Sequence, residues 1–300
     1  MTDSKSQVVV ISGGSRGIGR GIARVFGARG ATVYVAGRTS ASGGRRRAGE
    51  AELPGTIDLV AEEVTAAGGR GISVICDMAD DRQIAALFER VGRESGHVDV
   101  LVNNAALIHE DMLKPGRFWE KAIDLADIID VGLRCHYVAT HRAIPLMVGR
   151  SNGLIVNVSF YGGARMHDPA YYACKAGLDA FAATAALDLA TVGLAIVSLW
   201  PGIVSTERVM GLAEAMPQLK SQLSTFESPE FVGRVIAALH ADPQLASLSG
   251  KTLIAAEVAR RYGLKDTGGR EPASYRGAFG VPHPANDADA ASRAGATDQA

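Results

Sequence analysis

No run of apolar residues in this 300-residue chain approaches the length of about 18 needed to cross a bilayer, so a membrane-spanning helix is excluded. Neither sign of charge dominates. Thirty-one Lys and Arg stand against 32 Asp and Glu, a net charge near −1, which argues against nucleic acid or an anionic membrane surface as the main partner. Cysteine is scarce. Cys76, Cys135 and Cys174 show neither metal-ligand spacing nor disulfide logic and suit a reducing compartment. Met1-Thr2-Asp3-Ser4-Lys5 leads directly into a β-branched run without the pattern of a signal peptide, so a cytoplasmic location is expected. His136, His141 and His167 form no zinc-like cluster, and no metal site is expected. His136 and His141 read as core-edge or interface residues of a long helix, and His167 as a loop residue near the pocket. No internal repeat of fixed period is visible.

What is present is an alternation of short β-branched runs with helical stretches. That implies an α/β fold with a parallel, doubly wound sheet. The apolar share of 47% is ample for one large core. Strands are expected near 8–12, 31–36, 71–76, 98–103, 153–158, 195–200 and 251–255, in the order 3-2-1-4-5-6-7 with right-handed crossovers. One domain would span residues 1–281. The Ala-, Asp-, Ser- and Gly-rich tail 282–300 is expected to be disordered. Residues 205–228, with Met210, Leu212, Met216 and Phe226, would form a lid over the site or pack on a neighbouring subunit. The stretch Ser40 to Gly55, with Gly43-Gly44-Arg45-Arg46-Arg47, is either a solvated loop or a cover for an adenosine phosphate.

The first strand, Val8-Val9-Val10-Ile11, runs into Ser12-Gly13-Gly14-Ser15-Arg16-Gly17-Ile18-Gly19, and a helical pattern with Ile22, Val25 and Phe26 on one face follows. Strand, glycine turn and helix form the context of a nucleotide-binding motif, here Rossmann-type. Gly13 would allow the tight turn. Gly17 and Gly19 would let backbone approach a pyrophosphate, with the helix N-terminus offering N–H groups and positive dipole. A glycine-rich turn with no ligand is the bland alternative. After the second strand, the place where an NAD site usually carries a carboxylate holds Gly37, followed by Arg38. Arg38 and Arg16 would serve a 2′-phosphate as charge-assisted partners, so NADP(H) is favoured over NAD(H), unless Arg38 is simply solvated.

Tyr171 and Lys175 stand four residues apart, and Ser159 lies twelve before Tyr171, at the end of the apolar run 154–158. On a helix, residues i and i+4 share a face, which sets a phenol beside an ammonium. A phenol ordinarily loses its proton near pH 10. A cation about 4 Å away would favour the phenolate by up to ~4 kcal/mol at an effective dielectric of ~20, or ~3 pK units. That brings a tyrosine into the range of a general acid or base. A chance Tyr-x-x-x-Lys would look the same from spacing alone.

Taken together, the residues resemble the short-chain dehydrogenase/reductase family. The resemblance runs from about Val8 to Tyr262. It rests on Gly13/Gly17/Gly19, Asp77 after the third strand, Asn103-Asn104-Ala105-Ala106 after the fourth, Ser159, Tyr171, Lys175, and Pro201-Gly202 after the sixth. The stretches Val131-Gly132-Leu133-Arg134, Ser198-Leu199-Trp200-Pro201-Gly202 and Ala259-Arg260-Arg261-Tyr262-Gly263 look closest to the subgroup called dehydrogenase/reductase member one.

The resemblance implies an NADPH-dependent interconversion of a small-molecule carbonyl and alcohol by a homodimer or homotetramer. Tyr171 would be the general acid/base, Ser159 would hold the substrate oxygen, and Lys175 would bind the nicotinamide ribose. Ser15, Arg16, Ile18, Met78, Ala105 and Val204 would join the cofactor cleft. Asp77 would meet adenine, Asn104 would line the cleft, and Thr206, after Pro201-Gly202, would meet the carboxamide. Three departures stand out. Asp130 takes the place of the family's fourth catalytic residue, an asparagine, the Ser159–Tyr171 gap is one residue short, and Ala106 replaces a glycine. A carboxylate at 130 facing Lys175 through water would favour the ammonium form; one pointing toward Arg134 would not. Two rival functions share the pattern: a non-catalytic NADP-binding regulator, and an epimerase or dehydratase on the same fold.

Overall fold

β-Branched runs that are buried on both faces favour parallel sheets. Seven strands form one here, the inner five buried almost throughout: β1 (Val8–Ser12), β2 (Thr32–Gly37), β3 (Arg70–Ile75), β4 (Val100–Asn103), β5 (Leu154–Val158), β6 (Ala195–Trp200) and β7 (Thr252–Ile254). They lie in the expected order 3-2-1-4-5-6-7, every pairing parallel. The structure, a computed structural model, describes residues 6–44, 51–150, 152–161 and 168–277.

The helices that carry the crossovers are α1 (Gly17–Ala28), α2 (Ile57–Ala66), α3 (Asp81–Glu94), α4 (Cys135–Met147) and α5 (Pro169–Ala190). Beyond β6 come the short α6 (Glu207–Ala215) and α7 (Pro217–Gln222), then α8 (Pro229–Ala241) and, after β7, α9 (Ala255–Arg261). The pleat splits β1 between two cores. Val9 and Ile11 pack with Ile22 and Phe26 of α1 and Val232 and Val235 of α8. Val8 and Val10 pack with Leu87 and Phe88 of α3, Ala139 and Ala143 of α4, and Ala182 of α5.

β1 pairs with β2 on one side and β4 on the other. The chain therefore reverses its direction of travel at β1, and loops leave the carboxyl ends of β1 and β4 in opposite directions. The crevice between them is where an open α/β sheet binds ligands. A third apolar cluster of Leu107, Met112, Leu125, Ile128, Val131 and Cys174, with Tyr171 packed on it, lies between α5 and the segment that joins β4 to α4. That segment is less regular than a single long helix. Three 3₁₀ turns precede one α-turn, Asp127–Ile129, and a π-helical stretch, Asp130–Arg134, runs into α4.

Part of the stretch expected to be irregular is ordered: Thr39–Ser40 and Gly43–Gly44 pair as a small antiparallel hairpin. Arg45, Arg46, Arg47, Gly162, His167 and the tail 282–300 lie outside the described residues. Among the described residues, no helix is long and apolar enough to cross a membrane.

Candidate active site

Hydrogen bonds join the carboxyl ends of β1 and β4. The Ser12 hydroxyl donates to the Val102 carbonyl at 3.3 Å and accepts from the N–H groups of Asn104 (3.0 Å) and Ala105 (3.1 Å). The Asn104 amide donates to the carbonyls of Ser12 and Gly13, each at 3.0 Å. Gly13 has φ +66°, and a Cβ there would lie 2.8 Å from the Ala105 Cα. A Cβ on Gly19 would lie 2.3 Å from the Gly13 carbonyl oxygen. These two glycines let the turn, α1 and the β4 loop close on one another.

α1 starts with no side-chain cap and no acidic residue in its first turn, which leaves its dipole available to an anion. The N–H groups are not all free, however. Glu207, the first residue of α6, places Oε2 2.8 Å from the Gly17 nitrogen, and Arg20 reaches its Oε1 at 3.4 Å. Ser15 is buried, and half-buried Ile18 packs on the first core. The Arg16 guanidinium donates to the Thr39 hydroxyl and the Gly55 carbonyl, both at 3.2 Å, so it reaches the end of β2 beside Arg38.

Asp77 and buried Met78 follow β3. Asp77 accepts from the Ala79 N–H at 3.0 Å. Pro201, Gly202 and buried Val204 follow β6. Thr206 caps α6 through the Val209 N–H at 3.4 Å, and its Cγ2 lies 3.2 Å from where a Cβ on Gly17 would stand.

Asp168 caps α5 by accepting from the Ala170 N–H at 2.9 Å, with Pro169 at the first helical position. That start puts Tyr171 in the first turn and Lys175 one turn on. Lys175 is buried; its ammonium donates to the Val158 carbonyl at 2.9 Å and stands 5.6 Å from the Tyr171 ring centroid. The buried Ser159 hydroxyl donates to the Lys175 carbonyl at 3.1 Å. Ser159 and Lys175 are thus tied together where β5 abuts α5, with the Tyr171 ring beside the ammonium.

The electrostatics differ from a simple charge pair. Burial pushes the Tyr171 phenol up, with Tyr172 and Cys174 adding to the shift. Burial likewise pushes the Lys175 ammonium down. Desolvation outweighs the attraction expected from the i, i+4 spacing, and the ammonium stands over the ring.

Asp130 is not brought to this cluster. The residue is exposed, and after Asp81, the larger cause, its charge helps to raise Arg134. Arg134 itself is held by Asp81 at 2.7 and 2.6 Å. The expectation of Asp130 facing Lys175 is corrected by the helical register: the π segment turns Val131 and Gly132 inward. His141 is exposed, but His136 is fully buried rather than at a core edge, with Nε2 donating to the Ala105 carbonyl at 3.0 Å. Burial, reinforced by Lys175, lowers it to about 3, so it is neutral.

Two further carboxyl groups lie close by. Asp179, one turn beyond Lys175, accepts from the Ser198 hydroxyl and from Trp200 Nε1 at 3.0 and 3.2 Å, and the Ser159 hydroxyl is within hydrogen-bonding reach. Burial holds it above its ordinary value. Glu227 is fully buried under the Pro201-Gly202 turn. Burial, with Asp266 adding and the Gly202 N–H opposing, lifts it to about 8.

The family model for short chain dehydrogenases matches residues 7–217, well over half the chain. The chain belongs to the short-chain dehydrogenase/reductase family. Members of this family are nicotinamide-dependent oxidoreductases that work between CH–OH and C=O groups. Dehydrogenase/reductase SDR family member 1 of Mus musculus is 41% identical over 284 residues, covering 90% of this chain and 86% of the mouse protein. A 3-oxoacyl-[acyl-carrier-protein] reductase of Synechocystis is 30% identical over 256 residues, covering 84% and 96% of the two chains. Among solved structures, a short chain dehydrogenase of Mycobacterium thermoresistibile superposes with TM-score 0.73 at 28% identity, covering 89% and 92%. A putative dehydrogenase of Xanthomonas campestris gives 0.74 at 25%, covering 90% and 97%.

Within this short-chain dehydrogenase/reductase frame, three carboxyl groups escaped the sequence reading. Asp179 carried a signal, since it repeats the four-residue spacing of Tyr171 and Lys175 on the same helix face. Glu207 and Glu227 carried none. Their positions depend on how the chain beyond β6 folds back over α1 and the Pro201-Gly202 turn.

Proposed function

We propose that the chain is an NADPH-dependent carbonyl reductase, with the reverse alcohol oxidation available to it. The observation that carries this is the meeting of Ser159, Tyr171 and Lys175 at the carboxyl edge of the sheet, beside the glycine turn. The turn suits a dinucleotide: a Cβ on Gly13 or Gly19 would fill the space into which backbone and ligand must fit. The dinucleotide supplies the hydride; this chain's residues supply position and the proton.

Tyr171 would donate its phenolic proton to the oxygen of the reduced carbonyl. Burial keeps that proton on the phenol at neutral pH, so it is present to be transferred. Ser159 would orient and polarise the same oxygen through its hydroxyl. Lys175, with one proton committed to the Val158 carbonyl, has further donors for the ribose hydroxyls. Arg16, reaching Thr39 next to Arg38, supports a preference for the 2′-phosphate. Small carbonyl compounds are the substrates we infer. The names of the relatives, reductases and dehydrogenases among them, agree with this. We also propose a homo-oligomeric enzyme of the cytoplasm.

The test is NADPH oxidation across a panel of carbonyl compounds, with Tyr171→Phe as the control. The variant should lose about 10²–10⁴ in kcat, the usual range for a general acid, while keeping NADPH affinity. Near-normal turnover by Tyr171→Phe would overturn the assignment.

A further inference from the structure

Ser159 can polarise a substrate oxygen only if its Oγ is held in place and its single proton is directed there. A hydroxyl has one donor and rotates to suit its surroundings. In this structure the proton goes to the Lys175 carbonyl at 3.1 Å. The surroundings of Oγ therefore decide how well it serves, and the side chain set beside it is Asp179.

Asp179 connects three elements. It projects from α5 one turn past Lys175, receives the Ser198 hydroxyl and the Trp200 indole N–H from β6, and lies within reach of Ser159 at the end of β5. Two donors from β6 hold its oxygens against rotation and leave acceptor capacity for Ser159. The Trp200 ring in turn packs on Tyr161, two residues past Ser159, with centroids 5.4 Å apart. One side chain thus sets both the serine and the aromatic group next to it. Pairing between α5 and β6 could be met by any donor–acceptor pair on the outer part of the helix. A half-buried carboxyl group near Lys175 costs desolvation, and a role beyond packing accounts for that cost.

We propose that Asp179 is a positioning residue: it holds the Ser159 hydroxyl and the Trp200 indole in one frame, and so governs how well Ser159 orients the substrate oxygen. This rests on the reading of Ser159 given above. The structure assigns Asp179 no contact with substrate; it acts through Ser159.

A double-mutant cycle on the full-length enzyme with NADPH and one carbonyl substrate tests it. Ser159→Ala alone should lower kcat by about 10²-fold or more, as loss of an oxyanion donor does. Asp179→Ala should lower it by about 10–100-fold in the wild-type background but by no more than about 3-fold when added to Ser159→Ala, because without the hydroxyl there is nothing left for Asp179 to position. NADPH affinity by fluorescence titration should stay within about 2-fold in all forms, a readout of intact folding. Asp179→Asn, which keeps hydrogen-bonding atoms at both positions, should retain kcat within about 5-fold of wild type.

Multiplying losses in the double mutant would overturn the inference. So would an Asp179→Asn loss as large as that of Ser159→Ala, an outcome that decides the matter even if Asp179→Ala fails to fold. A silent Ser159→Ala would overturn the reading of Ser159 itself, a failure distinct from independent effects at Ser159 and Asp179.

Discussion

Replacing Glu227 by glutamine should remove a pH dependence that the wild-type fold carries. Glu227 is fully buried beneath the Pro201-Gly202 turn, and the Tyr275 ring packs against the same side of Gly202. Burial lifts its carboxyl from the ordinary value of 4.5 to about 8. Its neighbour Asp266 adds to the shift and remains ionised. Burial pushes Asp266 up, but hydrogen bonds from Ser228 and Thr267, with Arg270 nearby, hold it below its ordinary value. The sign follows from which state keeps the proton. Above 4.5 the unfolded chain releases the Glu227 proton, whereas the folded chain keeps it to about 8. The folded state binds more protons in that window, so stability is full below it and falls as pH rises. The slope for one proton is about 1.4 kcal/mol per pH unit, so the loss between pH 5 and pH 8 is of order 4 kcal/mol. Glu227→Gln keeps the shape and a neutral amide in place of the neutral acid. Urea unfolding of both proteins at pH 5.5, 6.5 and 7.5, at one protein concentration, should show the variant gaining on wild type by roughly 1 kcal/mol per step. A difference that stays constant across the three pH values would refute the reasoning, because it would mean that the carboxyl group does not hold its proton on folding.

Three further outcomes are expected. Arg38→Ala should weaken NADPH binding by about 10–100-fold and leave NADH nearly unchanged, the cost of one charge-assisted contact; equal weakening of both would rule out the phosphate contact. Asp130→Asn should give a kcat–pH profile superimposable on wild type, since the residue is exposed and its charge helps to raise Arg134; a displaced profile would return Asp130 to the proton relay. Glu207→Gln should tighten NADPH by about 2–5-fold in a fluorescence titration, because a carboxylate 2.8 Å from the Gly17 nitrogen holds negative charge where α1 would receive a phosphate; unchanged or weaker binding would count against that competition.

The legible part of this protein is the part whose physics is local. Val8 to Ile11 announce a strand buried on both faces, Gly13 and Gly19 announce a turn where no Cβ fits, and the structure puts both where the spacing required. The register at Asp130 was not legible, because a π stretch begins at that residue and no residue type announces such a stretch. His136, expected at a core edge, is instead fully buried against the Ala105 carbonyl, which its own spacing does not reveal.

The electrostatics failed for a different reason. From spacing, Tyr171 and Lys175 are a phenol and a cation one turn apart, and Coulomb's law alone lowers the phenol pKa. Whether attraction or desolvation wins depends on what surrounds the pair, and that comes from residues remote in sequence: Leu107, Ile128 and Cys174 around the tyrosine, and the Val158 carbonyl that takes a lysine proton. With water excluded by those neighbours, burial prevails and the phenol keeps its proton. The sequence motif therefore identifies which groups can exchange a proton. The protonation state they rest in, a phenol that keeps its proton, is set by the apolar packing that only the folded chain assembles.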